Sequence, residues 1–385
     1  MTAAGSASLG RLDSEDAPIR VMIVDDSAVI RGMIARILAA EPRIRVASSM
    51  PNGRAALEQL ERDPVDVVIL DIEMPVMTGL EALPLIVKAV PGIKVIMAST
   101  LTRRGAAVSL EALRKGAADF VPKPTSKSEV GSSQEFAREL IGKVLALGGG
   151  GEHRASPSNR AAAADGRLAT LPTAPAKRPG LYGGAPIVLR QASRERPGVL
   201  AIGSSTGGPQ ALFALLDGLK GIRLPVLLTQ HMPPHFTALL AEHLSKLSGM
   251  AAHEAVDGEP LLGARIYVAP GDYHMIVEQE AGKAVLRTTK APPENFCRPS
   301  VDPMLRSVAR CFGARSLVLI LTGMGHDGLS GSHEIVRAGG TVVAQDEASS
   351  VVWGMPGAVA SNGLCSAVLP LGRIASHLRA LIGEG

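Results

Sequence analysis

Val65-Asp66-Val67-Val68-Ile69-Leu70-Asp71-Ile72-Glu73-Met74-Pro75 is the stretch that decides the fold. Its apolar run, Val67–Leu70, is far shorter than the ~20 residues needed to cross a bilayer. Short, rich in β-branched side chains and without polar alternation, it reads as a strand buried on both faces, and it runs directly into an acid. The same unit recurs on either side. Val21–Val24 is a short strand ending at Asp25 and Asp26, and an amphipathic helix follows from about Ser27, an N-cap residue type, to Ala40. Strands Arg43–Ser48, Lys94–Ala98 and Asp119–Val121 alternate with helices Gly53–Arg62, Thr78–Ala89, Arg104–Lys115 and Gln134–Leu147. Five strands interleaved with helices predict a doubly wound parallel sheet.

The rhythm stops at Gly148. Glycine and alanine runs with scattered Pro, Ser and Arg continue to Pro197, the composition of a flexible linker, either an inert tether or a device that positions what it joins. A second α/β pattern then begins at Val199. Strands are expected at Val199–Ile202, Pro225–Thr229, Arg265–Val268, Leu317–Leu321 and Thr341–Ala344, with a hairpin at Ile276–Glu280 and Ala284–Thr288. Helices are expected at Pro209–Leu219, Phe236–Ser248, Pro303–Cys311 and Gly328–Ala338. The expected organisation is a disordered tail (1–18), a first domain (19–147), the linker (148–197) and a second domain (198–385), both domains doubly wound parallel α/β sheets.

Charge and cysteine usage narrow the function classes. The net charge of +4 invites a nucleic-acid reading, but Gly148–Pro197 alone holds eight basic residues against three acids, so neither domain carries a basic footprint. No nucleic-acid partner and no membrane insertion are expected. Three cysteines without metal-type spacing, and an N-terminus without an apolar signal core, point to the reducing cytoplasm.

In the first domain the acids Asp25, Asp26 and Asp71 follow strand ends, where parallel sheets gather ligands. Clustered carboxylates repel one another unless a cation joins them, and oxygen ligands with room for water suit Mg²⁺. An aspartate neutralised in this way is a competent nucleophile toward phosphorus. Ser99 ends the fourth strand and Lys123 the fifth, in Val121-Pro122-Lys123-Pro124, where the bond before Pro124 is a candidate cis peptide. Together, Asp25-Asp26-Ser27, Leu70–Pro75 with Gly79, Ser99 and Lys123-Pro124 resemble the response-regulator receiver family over about residues 19–147. The resemblance implies Asp71 as phosphoacceptor and Asp25, Asp26, Asp71 and the backbone carbonyl of Glu73 as Mg²⁺ ligands. It also implies Ser99 and Lys123 as readers of the phosphoryl group, and Phe120 as the switch aromatic.

In the second domain Gly203-Ser204-Ser205-Thr206-Gly207-Gly208 fits G-x-S-x-G between a strand and a helix, a turn that exposes a serine at a helix N-terminus. Taken alone it also suits a dinucleotide phosphate, although the spacing is not G-x-G-x-x-G. His231, in Gln230-His231-Met232-Pro233, and Asp327, in Leu321–Gly328, each follow a further strand. A serine needs a base to become nucleophilic, and the base needs a carboxylate to hold its tautomer. The order Ser–His–Asp departs from that of α/β-hydrolases.

Six motifs in order resemble the catalytic domain of the chemotaxis protein-glutamate methylesterases over about Val199–Ile382. They are Gly203–Gly208, Gln230–Pro233, Ala269–Asp272, Arg298–Asp302, Leu321–Gly328 and Gly354–Pro356. The resemblance implies Ser205 as nucleophile, His231 as base and acid, Asp327 as orienting carboxylate and the Met324 backbone N–H as oxyanion donor. Arg298 either lines the substrate face or forms a salt bridge. No cofactor is implied for this domain. The substrates would be methyl-accepting chemotaxis receptors, demethylated at glutamate γ-methyl esters and deamidated at specific glutamines, and the phosphodonor a chemotaxis histidine kinase. The rival is a receiver-controlled transcription factor, which would need a helix-turn-helix after the linker.

Overall fold

A computed structural model of the chain describes residues 17–123, 130–149 and 186–383. Most of the expected tail and linker, and the bond before Pro124, lie outside these residues. The first domain comprises β1 (Ile19–Val24), α1 (Ala28–Ala39), β2 (Ile44–Met50), α2 (Gly53–Arg62), β3 (Val67–Asp71), α3 (Gly79–Ala89), β4 (Lys94–Ser99), α4 (Arg103–Arg114), β5 (Asp119–Pro122) and α5 (Val130–Gly148). Its strands are all parallel, in the order β2-β1-β3-β4-β5. Every residue of β3 is buried, as its unbroken apolar run requires. The helices start at short polar caps: Ser27 accepts from Ile30 N, Asn52 from Ala55 N, and Thr78 closes a capping box with Glu81.

The second domain holds β6 (Val199–Ser204), α6 (Gly208–Asp217), β7 (Val226–Gln230), α7 (Phe236–Ser248), β8 (Ala251–Glu254), β9 (Arg265–Val268), β10 (His274–Glu280), β11 (Lys283–Thr289), α8 (Val301–Phe312), β12 (Ser316–Ile320), α9 (Leu329–Arg337), β13 (Thr341–Gln345), α10 (Met355–Ser361), β14 (Ala367–Leu369) and α11 (Leu371–Ile382). Seven strands form a parallel sheet in the order β14-β13-β12-β6-β7-β9-β8, and β10 and β11 make the expected hairpin. β8, β14, α10 and α11 were not expected from the sequence. A wide parallel sheet of this kind is not a helix-turn-helix, so the transcription-factor rival has no structural footing. Residues 186–197 of the expected linker lie against this domain, with Arg190 N donating to Cys365 O, Ser193 N to Thr341 Oγ1 and Arg196 Nε to Ile382 O.

The two domains share one apolar cluster. It runs from Leu110 and Phe120 of the first to Leu212 and Phe236 of the second, and the rings of Phe120 and Phe236 stack at 4.4 Å with planes 5° apart. This contact sets the first domain over the carboxyl ends of β6 and β7.

Candidate active site

In each sheet the chemistry sits where the strand order reverses, between β1 and β3 and between β6 and β12. Ser205, His231 and Asp327 follow β6, β7 and β12, three neighbouring strands in the order β12-β6-β7. His231 N donates to Ser204 O at 3.1 Å, which puts the bases of the serine and histidine side chains next to each other across the sheet edge.

The serine turn is constrained from three sides. Ser205 N donates to Thr322 O at 3.0 Å. Gln230 Nε2 donates to Ser205 O at 3.0 Å, while Gln230 Oε1 accepts from Ser204 Oγ at 2.7 Å. Gly207 adopts φ 76°, which only glycine takes without strain, and caps α6. Ser205 is half-buried, and a Cβ placed on Gly323 would meet Ser205 Cβ at 2.9 Å, so the loop after β12 passes directly beside it. Among the described residues the Met324 N–H in that loop has no hydrogen-bond partner.

His231 Nε2 lies 2.7 Å from Asp327 Oδ2. Asp327 is buried on the N-terminus of α8, where unpaired N–H groups and the helix dipole favour a negative charge. Oδ2 also accepts from Val301 N at 2.6 Å, and Oδ1 accepts from Ser300 Oγ, Asn295 Nδ2, Gly328 N and Asp302 N. Burial works to raise its pKa, but His231, Val301 N and Ser300 outweigh it and hold the carboxyl far below the usual range. Burial likewise opposes charge on His231, yet Cys297 and Asp327 carry the ring well above an ordinary imidazole.

Several members of this network are invisible in the motifs. Asn295 bridges Asp327 and Asp302, with 2.9 Å to each. His274 is buried and its Nδ1 accepts from Ser300 N, steadying the residue that donates to Asp327. Cys297 Sγ lies 3.4 Å from His231 Nδ1. Their only signal is closeness in sequence to a motif, Asn295 and Cys297 to Arg298-Pro299-Ser300 and His274 to Ala269–Asp272. Arg298 itself donates to Asp272 Oδ1 from Nε and Nη2, at 3.0 and 2.6 Å, and to Lys290 O and Ala291 O from Nη1, so it occupies the salt-bridge alternative.

In the first domain one ligand atom from each of Asp25, Asp26 and Asp71 falls within a 4.8 Å cluster. Lys123 Nζ is 2.6 Å from Asp71 Oδ1 and 2.7 Å from Asp25 Oδ2. The second distance is that of an ion pair outside hydrogen-bond alignment, which leaves Asp25 Oδ2 buried without a hydrogen bond. Burial, together with repulsion from Asp25, lifts the Asp71 carboxyl above its ordinary value against the pull of Lys123. A buried carboxylate oxygen without a hydrogen bond, within an acidic cluster, fits a hard divalent cation with oxygen ligands. Ser99 is buried at the end of β4, and Lys123 N donates to its carbonyl at 2.6 Å. The Glu73 side chain points to Arg104, at 3.7 Å.

The amino end of β5 and helix α5 press onto the serine site. Thr206 Oγ1 donates to Asp119 Oδ2 at 2.7 Å, and Gln210 Nε2 donates to Ala117 O at 2.7 Å. Arg138 lies 4.2 Å over the Phe296 ring, and a Cβ on Gly142 would meet the end of the Met324 side chain at 3.0 Å.

Comparison with known proteins finds relatives of both domains. Residues 200–378 match the CheB methylesterase family and residues 21–133 the response regulator receiver domain. The protein-glutamate methylesterase/protein-glutamine glutaminase 1 of Paramagnetospirillum magneticum is 54% identical over 94% of this chain and 96% of its own. The protein of the same activity from Azospirillum brasilense is 54% identical over 94% of this chain and 92% of its own. A third, from the group 2 operon of Rhodospirillum centenum, is 52% identical over 94% and 93%. The chain belongs to the CheB methylesterase family. The first domain is its receiver and the second its catalytic domain, and the dinucleotide reading of the Gly203–Gly208 turn falls away. Among the described residues no helix is long and apolar enough to cross a membrane.

Proposed function

We propose that the methylesterase and glutaminase activity of this enzyme is performed by Ser205, His231 and Asp327, with the Met324 N–H as oxyanion donor. The observation that carries this reading is the 2.7 Å His231–Asp327 bond at the edge where β6 delivers Ser205. Ser205 Oγ attacks the γ-carbonyl carbon of a glutamyl methyl ester as His231 takes the hydroxyl proton. The negative charge that forms on the carbonyl oxygen is met by the Met324 N–H and the N-terminus of α6. His231 returns the proton to the departing methanol, or to ammonia when the substrate is a glutamine. Water, deprotonated by the same ring, then cleaves the acyl-serine to release the carboxylate. Asp327 holds the ring and stabilises the imidazolium without taking the proton itself.

The substrate side chains belong to chemoreceptor cytoplasmic helices, and the protein works in the cytoplasm. A chemotaxis histidine kinase supplies the phosphoryl group to Asp71. Asp25, Asp26, Asp71 and the Glu73 carbonyl would hold Mg²⁺, which when bound neutralises the charge gathered at the phosphorylation site. Ser99 and Lys123 read the phosphoryl group. Lys123 follows β5 directly, so a change at Asp71 reaches Asp119 and Phe120, the residues that hold the receiver over Thr206 and Phe236. Phosphorylation therefore shifts the chain from a docked, covered arrangement toward an open one.

The test is labelling with a serine-reactive fluorophosphonate, followed by peptide mapping, with and without a phosphoryl donor. Label is expected on the Ser205 peptide, faster with the donor, and absent in Ser205→Ala. Label on another residue, or full esterase activity in Ser205→Ala, would overturn the assignment.

A further inference from the structure

Both ring nitrogens of His231 are occupied in the docked protein: Nε2 faces Asp327 at 2.7 Å and Nδ1 faces Cys297 Sγ at 3.4 Å. A hydroxyl that gives its proton to this ring needs one of those positions. Asp327 is fixed, since it is 1% exposed and accepts from five donors besides the imidazole. Nδ1 is therefore the nitrogen open to exchange. Among the described residues Ser205 Oγ makes no hydrogen bond to the ring, and the thiol holds the position the serine requires.

The thiol is delivered by a built turn. Cys297 N donates to Glu294 O at 2.8 Å and Glu294 N to Cys297 O at 3.2 Å. The two residues between them, Asn295 and Phe296, adopt φ 52° and 61°, a conformation that a bulky residue such as phenylalanine takes only under constraint. The constraints are visible. Glu294 pairs with Arg306 at 2.5 and 2.9 Å, and the Asn295 amide is clamped by Asp302 and Asp327. Phe296 reaches out from the catalytic domain, 77% exposed, and lies beneath Arg138 of the receiver helix α5. One four-residue turn thus touches the acid, the base and the regulatory domain.

We propose that Cys297 is a positioning residue for His231: in the docked chain its thiol occupies Nδ1 and withholds the base from Ser205, and departure of α5 from Phe296 frees the turn so that the serine takes its place. The inference rests on the reading of Ser205 and His231 above and adds a second level of control. The receiver covers the serine and also disarms its base.

The experiment uses full-length protein and methylated receptor membranes, with and without Mg²⁺ and beryllofluoride as the phosphoryl mimic. Cys297→Ala is expected to raise kcat/KM without the mimic by about fivefold, the worth of one ordinary hydrogen bond, and to lower the activation ratio by the same factor. Its pH–rate midpoint should move, because the group that occupies Nδ1 has gone; a purely structural role would leave the midpoint in place. Cys297→Ser, which keeps a hydrogen-bonding group, should lie between the two. Phe296→Ala should raise the resting rate with the thiol intact, which keeps the inference testable if Cys297→Ala folds poorly. Iodoacetamide labelling mapped to Cys297 should quicken when the mimic is added. Resting rates and midpoints like wild type in all three variants, or lower activity in Cys297→Ala with and without the mimic, would overturn the proposal. Residual activity in Ser205→Ala would instead strike the nucleophile assignment, so the two failures are distinct.

Discussion

Thr206 Oγ1 donates to Asp119 Oδ2 at 2.7 Å, joining the residue after the proposed nucleophile to the residue before the receiver's Phe120. Both partners are buried, and Lys143 Nζ lies 3.2 Å from the same carboxylate oxygen. The bond is charge-assisted and shielded, the setting in which a single contact is worth about 1.5–3 kcal/mol. Asp119→Ala should therefore shift the docked–open equilibrium toward the open form by about tenfold or more. Methanol release from methylated receptors by the unphosphorylated chain should rise accordingly, with little further gain from beryllofluoride. A resting rate equal to wild type would mean that the bond does not hold the receiver in place.

The pH dependence follows from His231. Burial of the ring disfavours its charge, but Cys297 and Asp327 prevail, so the folded chain binds this proton more tightly than an ordinary imidazole does. A base must be neutral to act, so kcat/KM should climb with pH through a midpoint above 6.5, the usual imidazole value. The linkage runs the other way for stability. A raised folded value stabilises the chain below the unfolded value, and that gain fades as pH rises through the folded one. Asp327→Asn should lower the midpoint, cut kcat by about three to four orders of magnitude and flatten the loss of stability as pH rises above 6.5. Rate and melting temperature measured across pH 5–9 on both proteins check the two signs together, and an unmoved midpoint would disconnect Asp327 from the base.

Asp25 tests the receiver reading. Its Oδ2 is buried with no hydrogen bond, and it raises the Asp71 carboxyl by repulsion. Asp25→Asn removes one negative charge from the cluster and should leave the resting esterase rate within about twofold of wild type, since surface and site charges here touch none of the hydrolytic groups. Activation by a small phosphoryl donor should disappear, as it should when EDTA is added to the wild-type protein. Full activation of Asp25→Asn in the presence of Mg²⁺ would remove that carboxylate from the metal set.

The outline of both sheets was legible because buried parallel strands are unmixed apolar runs, and because the polar residue ending each run is where such sheets place chemistry. Asp71, Ser205 and His231 stand at the ends of such runs, and Asp327 lies in the loop that follows one. Three of the four unexpected elements lack the signal. β8 is a four-residue edge strand with no buried residue, β14 has three residues and α10 seven. In α11 the signal was present and passed over: Ile374, Leu378 and Ile382 recur every fourth residue and are buried. The network around Asp327 was less accessible still. Asn295 and Cys297 sit in an irregular segment with no periodicity, His274 opens β10, and only the fold brings the three to the N-terminus of α8. The receiver–catalytic contact pairs residues 87 or more positions apart across the linker, such as Asp119 with Thr206, and no local pattern reports it.

Gln230 supplies the last prediction. Its amide accepts from Ser204 Oγ through Oε1 and donates to Ser205 O and His231 O through Nε2, at 2.7, 3.0 and 3.3 Å. One buried side chain thus laces the serine turn to the strand that carries the base. The room for it is provided by Gly208, where a Cβ would lie 2.0 Å from Gln230 Oε1 and 2.9 Å from Ser204 Cβ. Gly208→Ala must displace the amide, and neither backbone can yield within a parallel pair. The overpacking should cost about 1–3 kcal/mol of stability, and the shift of the turn about a hundredfold in kcat. Gln230→Ala removes the lacing without the clash, and should keep more of the stability while losing a comparable share of kcat. Chemical denaturation and single-turnover deacylation of both variants separate the effects. If Gln230→Ala hydrolyses ester at the wild-type rate, the turn is held by Thr322 and the helix alone, and Gln230 is merely packed beneath it.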